Sequence, residues 1–137
     1  RVTTNATGGA MVTVRALYGA LTSTSTPADT IASSTATLSA GTEGFGICVG
    51  SDGSHTGLDT TTPAGASPTA QSPFASTCNS TTHNVGGLTT NAQDLWSLSG
   101  ASQNAFARIF VKAAIASTTP AHADYTETMT FIATSTY

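Results

Sequence analysis

The sequence predicts an all-β domain, a β-sandwich with Greek-key character, on three observations. Short segments alternate apolar and polar residues with period two, β-branched and aromatic residues concentrate in those segments, and Gly, Pro, Ser and Thr turns separate them. No segment carries a convincing helical pattern. The 137 residues suffice for one domain with a hydrophobic core, and no charge run or Gly/Ser linker divides 1–137.

The elements follow in order. Val2 to Asn5 reads as a short first strand and Thr7-Gly-Gly9 as a turn. Ala10 to Tyr18 reads as a second strand with Val12, Val14, Ala16 and Tyr18 inward, so the opening predicts a hairpin. Thr22 to Thr37 is rich in Ser, Thr and Ala around Pro27 and Asp29, and holds at most short edge strands near Ile31 and Leu38. Gly44 to Gly50 is a glycine-bounded strand with Phe45, Ile47 and Val49 on one face and Cys48 on the other. A long irregular loop is expected at about 51–82. Leu88 to Gly100, with Leu95, Trp96 and Leu98, reads as a strand or a helical turn. Ala105 to Ala116 reads as one strand with Ala107, Ile109, Val111, Ala113 and Ile115 inward and Arg108 and Lys112 outward. Tyr125 to Tyr137 reads as a last strand with Tyr125, Glu127, Met129, Phe131 and Ala133 on one face and mostly threonine on the other. The expected core is Val12, Val14, Phe45, Ile47, Val49, Ile109, Val111, Met129 and Phe131.

Composition narrows the class. Roughly a third of the chain is serine plus threonine, and only 8% is charged, against about 25% in ordinary soluble proteins. Threonine on solvent-facing strand positions replaces the usual lysine and glutamate, and low charge weakens repulsion between copies. A net charge of −3 with four Lys plus Arg lacks the basic footprint that phosphate backbones require, so nucleic acid is not expected as a partner. No apolar run approaches the about 18 residues of a membrane-spanning helix, and no signal peptide is visible. Cys48 and Cys78 are the only cysteines. In an oxidising compartment they form one disulfide closing a segment of about thirty residues, worth on the order of 3–4 kcal/mol, while a pair of buried thiols is the alternative. The expected location is therefore extracellular or cell-surface.

Signals for catalysis, cofactors or metals are weak, and none is expected. Gly44-Phe-Gly46-Ile-Cys-Val-Gly50 approaches a dinucleotide fingerprint, but its third glycine comes one residue late and no helix follows. There is no Gly-x-Ser-x-Gly elbow. The carboxylates Asp29, Glu43, Asp52, Asp59, Asp94, Asp124 and Glu127 are dispersed, mostly in turns where Asp caps its own backbone. His55, His83 and His122 stand at no metal-ligand spacing, and Ser51-Asp-Gly-Ser-His55 with Asp59 lacks the ligand count of a calcium loop. A crosslink from the sole lysine, Lys112, to an asparagine is disfavoured by its outward position. Asn5 and Asn79 head glycosylation sequons.

The turn Pro120-Ala-His-Ala-Asp-Tyr125 opening a strand matches the tyrosine corner of immunoglobulin-like sandwiches; the alternative is a half-buried strand aromatic. The longer segment from Ile109 through Thr134 resembles the closing strands of bacterial surface β-sandwich modules, including spore-coat U-like domains and archaic chaperone–usher pilins. Those end in a Pro-Ala-Gly-x-Tyr-x-Asp-Thr turn and a threonine-rich strand. Val2 to Val14 is similar to their early hairpin, and Ala40 to Ile47 to a mid-domain segment of secreted bacterial proteins; together these cover about a third of the chain. His122 stands where a glycine is usual, and no N-terminal donor extension is evident.

The resemblance implies an immunoglobulin-like sandwich completed by a neighbour's strand, in a structural subunit of an extracellular filament, pilus or surface assembly. Such a homopolymer would use subunit contacts at Val2, Thr3 and Thr4 or at Thr126, Thr128 and Thr130, because an open sheet edge templates another chain. The alternative is a monomeric carbohydrate-binding or adhesin module with a glycan or host-surface ligand, its recognition carried by the long loop.

Overall fold

The computed structural model describes residues 1–49, 58–59, 68–75 and 81–137. Fourteen strands run through these residues: β1 (Val2–Thr4), β2 (Ala10–Ala16), β3 (Ala20–Ser23), β4 (Thr30–Ala32), β5 (Ala36–Thr37), β6 (Gly44–Val49), β7 (Leu58–Asp59), β8 (Thr69–Ala70), β9 (Asn84–Val85), β10 (Gln93–Leu98), β11 (Ser102–Ala107), β12 (Ile109–Ala114), β13 (Tyr125–Thr126) and β14 (Met129–Ser135). No helix is present among the described residues. The fold is all-β, with several antiparallel sheets around a common core.

One layer is the sheet ordered β14-β2-β10-β8. Alternation in β2 buries Ala10, Val12, Val14 and Ala16. The neighbouring β10 shifts register between Asp94 and Trp96, and both Leu95 and Trp96 are buried there; an irregularity of this kind lets consecutive side chains escape strict alternation. Gly9 sets the entry to β2 with φ +83°, and a Cβ at that position would stand 2.0 Å from the Leu98 carbonyl oxygen. Both demands select glycine.

The facing layer is built on β11 and β12, one line of chain interrupted at Arg108. Ile109 pairs with Val49 and Ala107 with Leu58, so β6 and β7 succeed one another along the same edge of that line. β11 lies between β1 and β7, which puts β1 on the opposite edge. β6 is buried at every position. Phe45, Ile47 and Val49 enter the main core, while Cys48 joins Leu38 and Val85 in a second cluster on the other face, backed by Phe110 and Ala114. A Cβ on Gly46 would come 2.7 Å from Val85 Cγ2. The glycine in mid-strand therefore serves close packing of β9. The sheets β13-β3-β4 and β5-β9 complete the molecule.

Several expectations are corrected. β1 pairs with β11 rather than β2, so the opening is no hairpin. β3 was not anticipated. Ala105 to Ala116 forms two strands, and the last strand is broken between β13 and β14. Within 51–82, β7, β8 and a fully buried Phe74 are ordered parts of the sandwich rather than loop. Of the expected core, Val12, Val14, Phe45, Ile47 and Val49 are buried, and Ile109 and Met129 pack half-buried against the core. Val111 is 54% and Phe131 44% exposed. Tyr18, expected inward, is also exposed.

Candidate functional site: an open side of the sandwich

Val111 and Phe131 are exposed although their strand faces are the expected ones. In an antiparallel ladder directly paired residues point to the same side of the sheet. Phe131 pairs with Val14 and Val111 with Ile47, and both partners are completely buried. Met129, Phe131 and Ala133 on β14, like Ile109, Val111 and Ala113 on β12, therefore face the core side, and it is cover that is missing. Ile115, just past β12, is 61% exposed.

The two uncovered edges lie on the same flank. β14 is the edge of its sheet next to β2, and β12 has β6 as its only strand partner among the described residues. On the far flank the layers are joined by backbone: Val49 N–H donates to Phe74 O at 3.0 Å, and Gln71 N–H to Leu95 O at 2.9 Å. On the near flank, β1 closes one end of the opening, where the buried Thr4 hydroxyl meets the Ser135 hydroxyl at 3.1 Å. Beyond β1, the edge of β12 that has no strand partner among the described residues borders an open cleft of about 690 Å³, with Leu38, Ala40, His83, Val111, Lys112 and Ile115 in its walls.

The polar residues around this flank are committed to structure. Lys112 points away from the core, as expected, donating from Nζ to Thr82 O at 2.6 Å and meeting His83 Nδ1 at 3.0 Å. Glu127 accepts backbone N–H bonds from Leu17, Tyr18 and Ala20 at 3.0–3.1 Å, holding the bend between β2 and β3. Its inward register was the one sequence signal of that role. Asp124 accepts from Thr24 Oγ1, Ser25 N and Ser23 Oγ at 2.7, 2.7 and 2.9 Å, and these bonds, that of Thr24 foremost, hold its carboxyl far below the usual carboxylate range. The Tyr125 hydroxyl donates to Pro120 O at 2.9 Å, five residues upstream, the kind of bond a tyrosine corner makes. Burial first, then the charges of Asp29, Glu43 and Asp124, raise the Tyr125 pKa. His122 Nε2 contacts Asp29 Oδ2 at 2.7 Å.

The remaining sequence candidates divide. Val2 is half-buried against the core and β1 is paired within its own subunit, which removes Val2, Thr3 and Thr4 as a free donor strand. Thr126, on β13, itself an edge strand of the sheet β13-β3-β4, pairs with Thr22, and the Thr128 carbonyl accepts from Leu17 N. Thr130 lies on β14, exposed, opposite Arg15. Asn5 is exposed. Cys48 is disulfide-bonded; Cys78, Asn79, Asp52 and His55 lie outside the described residues. No cluster of three or more metal-ligating side chains occurs among the described residues. No described helix is long and apolar enough to cross a membrane.

Compared with known proteins, the chain matches no family model, no curated protein and no solved structure.

Proposed function

We propose that the protein is a structural subunit of an extracellular filament, pilus or surface assembly, polymerising through its open flank by β-strand addition. One observation carries the reading: β12 and β14 leave apolar, core-facing residues uncovered at Val111 and Phe131 while their immediate strand neighbours, Ile47 and Val14, are wholly buried. Contiguous apolar exposure beside unpaired backbone marks an interaction surface, and strand addition satisfies both the backbone and the side chains. A head-to-tail contact of this kind yields fibres unless its rotation closes a ring. The disulfide at Cys48 and the low charge support an extracellular setting.

A monomeric adhesin or carbohydrate-binding module is the second reading, favoured by the 690 Å³ cleft with Lys112 and His83 in its wall. It lacks its best aromatic platform, since Trp96, the only tryptophan, is 3% exposed in the core. Negative-stain microscopy of the purified protein separates the two. Fibres or regular sheets support the subunit; particles that stay monodisperse at every concentration and salt condition favour the module.

A further inference from the structure

We infer that Asn5 is a modification site, the acceptor of an N-linked oligosaccharide. The inference goes beyond the proposed function and shares with it only the extracellular setting. Asn5-Ala6-Thr7 places a hydroxyl residue two positions after an asparagine with no proline between, the pattern that marks a glycan acceptor on a surface loop of an exported protein. A chain this rich in serine and threonine meets the pattern readily by chance, so the surroundings of the tripeptide decide. The fold presents it as a crest anchored at its middle residue. Asn5 directly follows β1, and the turn toward β2 begins at Thr7. Ala6 is 1% exposed; its N–H donates to Thr4 Oγ1 at 3.1 Å, and its carbonyl accepts from Gly9 N–H at 3.0 Å. Asn5 and Thr7, on either side of that anchor, are both exposed. Neither side chain makes a hydrogen bond among the described residues. A sugar chain on Asn5 therefore breaks no bond of the fold and displaces no core atom.

The other described asparagines lack the hydroxyl: Asn84, Asn91 and Asn104 are followed two positions on by Gly86, Gln93 and Phe106. Asn84 is moreover committed to the fold, accepting from Thr37 Oγ1. Asn79, which heads the second such pattern, lies outside the described residues. The donor is an oligosaccharide activated on a lipid phosphate or pyrophosphate. Asn5 Nδ2 bonds to the anomeric carbon, the bond from that carbon to the phosphate oxygen breaks, the lipid phosphate leaves with the electron pair, and the amide gives up one proton. With only 8% of residues charged, the surface has few ionic groups to hold water, and a bulky, solubilising glycan supplies that hydration. Attached at Asn5, it stands at the end of the molecule where β1 and β14 meet through the Thr4 and Ser135 hydroxyls.

The test is peptide mapping by mass spectrometry, with electron-transfer fragmentation to locate the modified atom's residue, on the protein purified from its natural source and on Asn5→Gln and Thr7→Ala made in that same source. Thr7→Ala keeps the asparagine and removes only the hydroxyl two positions on. The peptide containing Asn5 should carry a sugar increment on Asn5, and both variants should lose it while keeping the circular dichroism of the unmodified chain. An Asn5 peptide wholly without sugar in the natural protein, an increment located on a threonine hydroxyl instead, or an increment on Asn5 that survives Thr7→Ala would each overturn the inference. Microscopy reads assembly separately: an unmodified Asn5 in fibres refutes the glycan site and leaves the structural subunit standing, and a glycan on Asn5 of monodisperse particles does the reverse.

Discussion

Truncating Val111 and Val14 to alanine removes the same two methyl groups from the same residue type in opposite surroundings. Val14 is completely buried and Val111 is 54% exposed. At about 0.8 kcal/mol per buried methylene equivalent, full burial of the deleted atoms is worth about 1.6 kcal/mol. Val14→Ala adds a cavity between β14 and β10 and should cost about 2–3 kcal/mol. Val111→Ala loses only the buried fraction, about 0.7 kcal/mol, because solvent fills the space. The exposed fraction, about 0.9 kcal/mol, is recovered on assembly, so the same variant should raise the critical concentration of assembly about fourfold. Urea denaturation of the dissociated protein gives the first two values, and sedimentation across a concentration series gives the third. Equal stability losses at the two positions would show that Val111 is covered in the monomer, and the open flank would be refuted.

Further predictions concern the turns that shape this flank. Gly9→Ala should cost at least about 1–3 kcal/mol from the positive φ alone, with the contact to Leu98 O adding to it, read as a fall in Tm. Because the folded-state pKa of Asp124 is depressed, its contribution is present above the unfolded carboxylate pKa of about 4 and is lost as pH falls through the lower folded value. Denaturation midpoints measured between neutral pH and strong acid should therefore fall less steeply for Asp124→Asn than for the unmodified chain. Tyr125→Phe should cost about 0.5–1.5 kcal/mol through loss of the bond to Pro120 O, and no measurable loss in denaturation would reduce the tyrosine corner to ordinary packing.

The fold class was legible because β2, β6 and β12 carry their own alternation: the face assigned to Val12, Val14, Phe45 and Ile47 is the face the structure turns to the main core. Pairing was less so. β1 is three residues long, too short for its pattern to say whether β2 or β11 is its neighbour, and the choice is made by the closure of the sandwich. For Val111 and Phe131 the face was right and the burial wrong, because alternation reports which side a residue takes and not whether another layer arrives to cover it. Glu127 and Asp124 were visible as residues but not as anchors: the amides they hold lie about a hundred positions away in sequence, and only the tertiary fold brings them together.

The central claim, that the uncovered flank is where copies meet, is tested most directly by the reactivity of one side chain in two states. Ile115, just past β12, is 61% exposed, and I115C places a single added thiol there while Cys48 stays in its disulfide. Maleimide labelling should be fast in the dissociated protein and at least tenfold slower after assembly, with mass spectrometry locating the label at position 115. Equal labelling rates in assembled and dissociated protein would mean that the polymer is built on another surface.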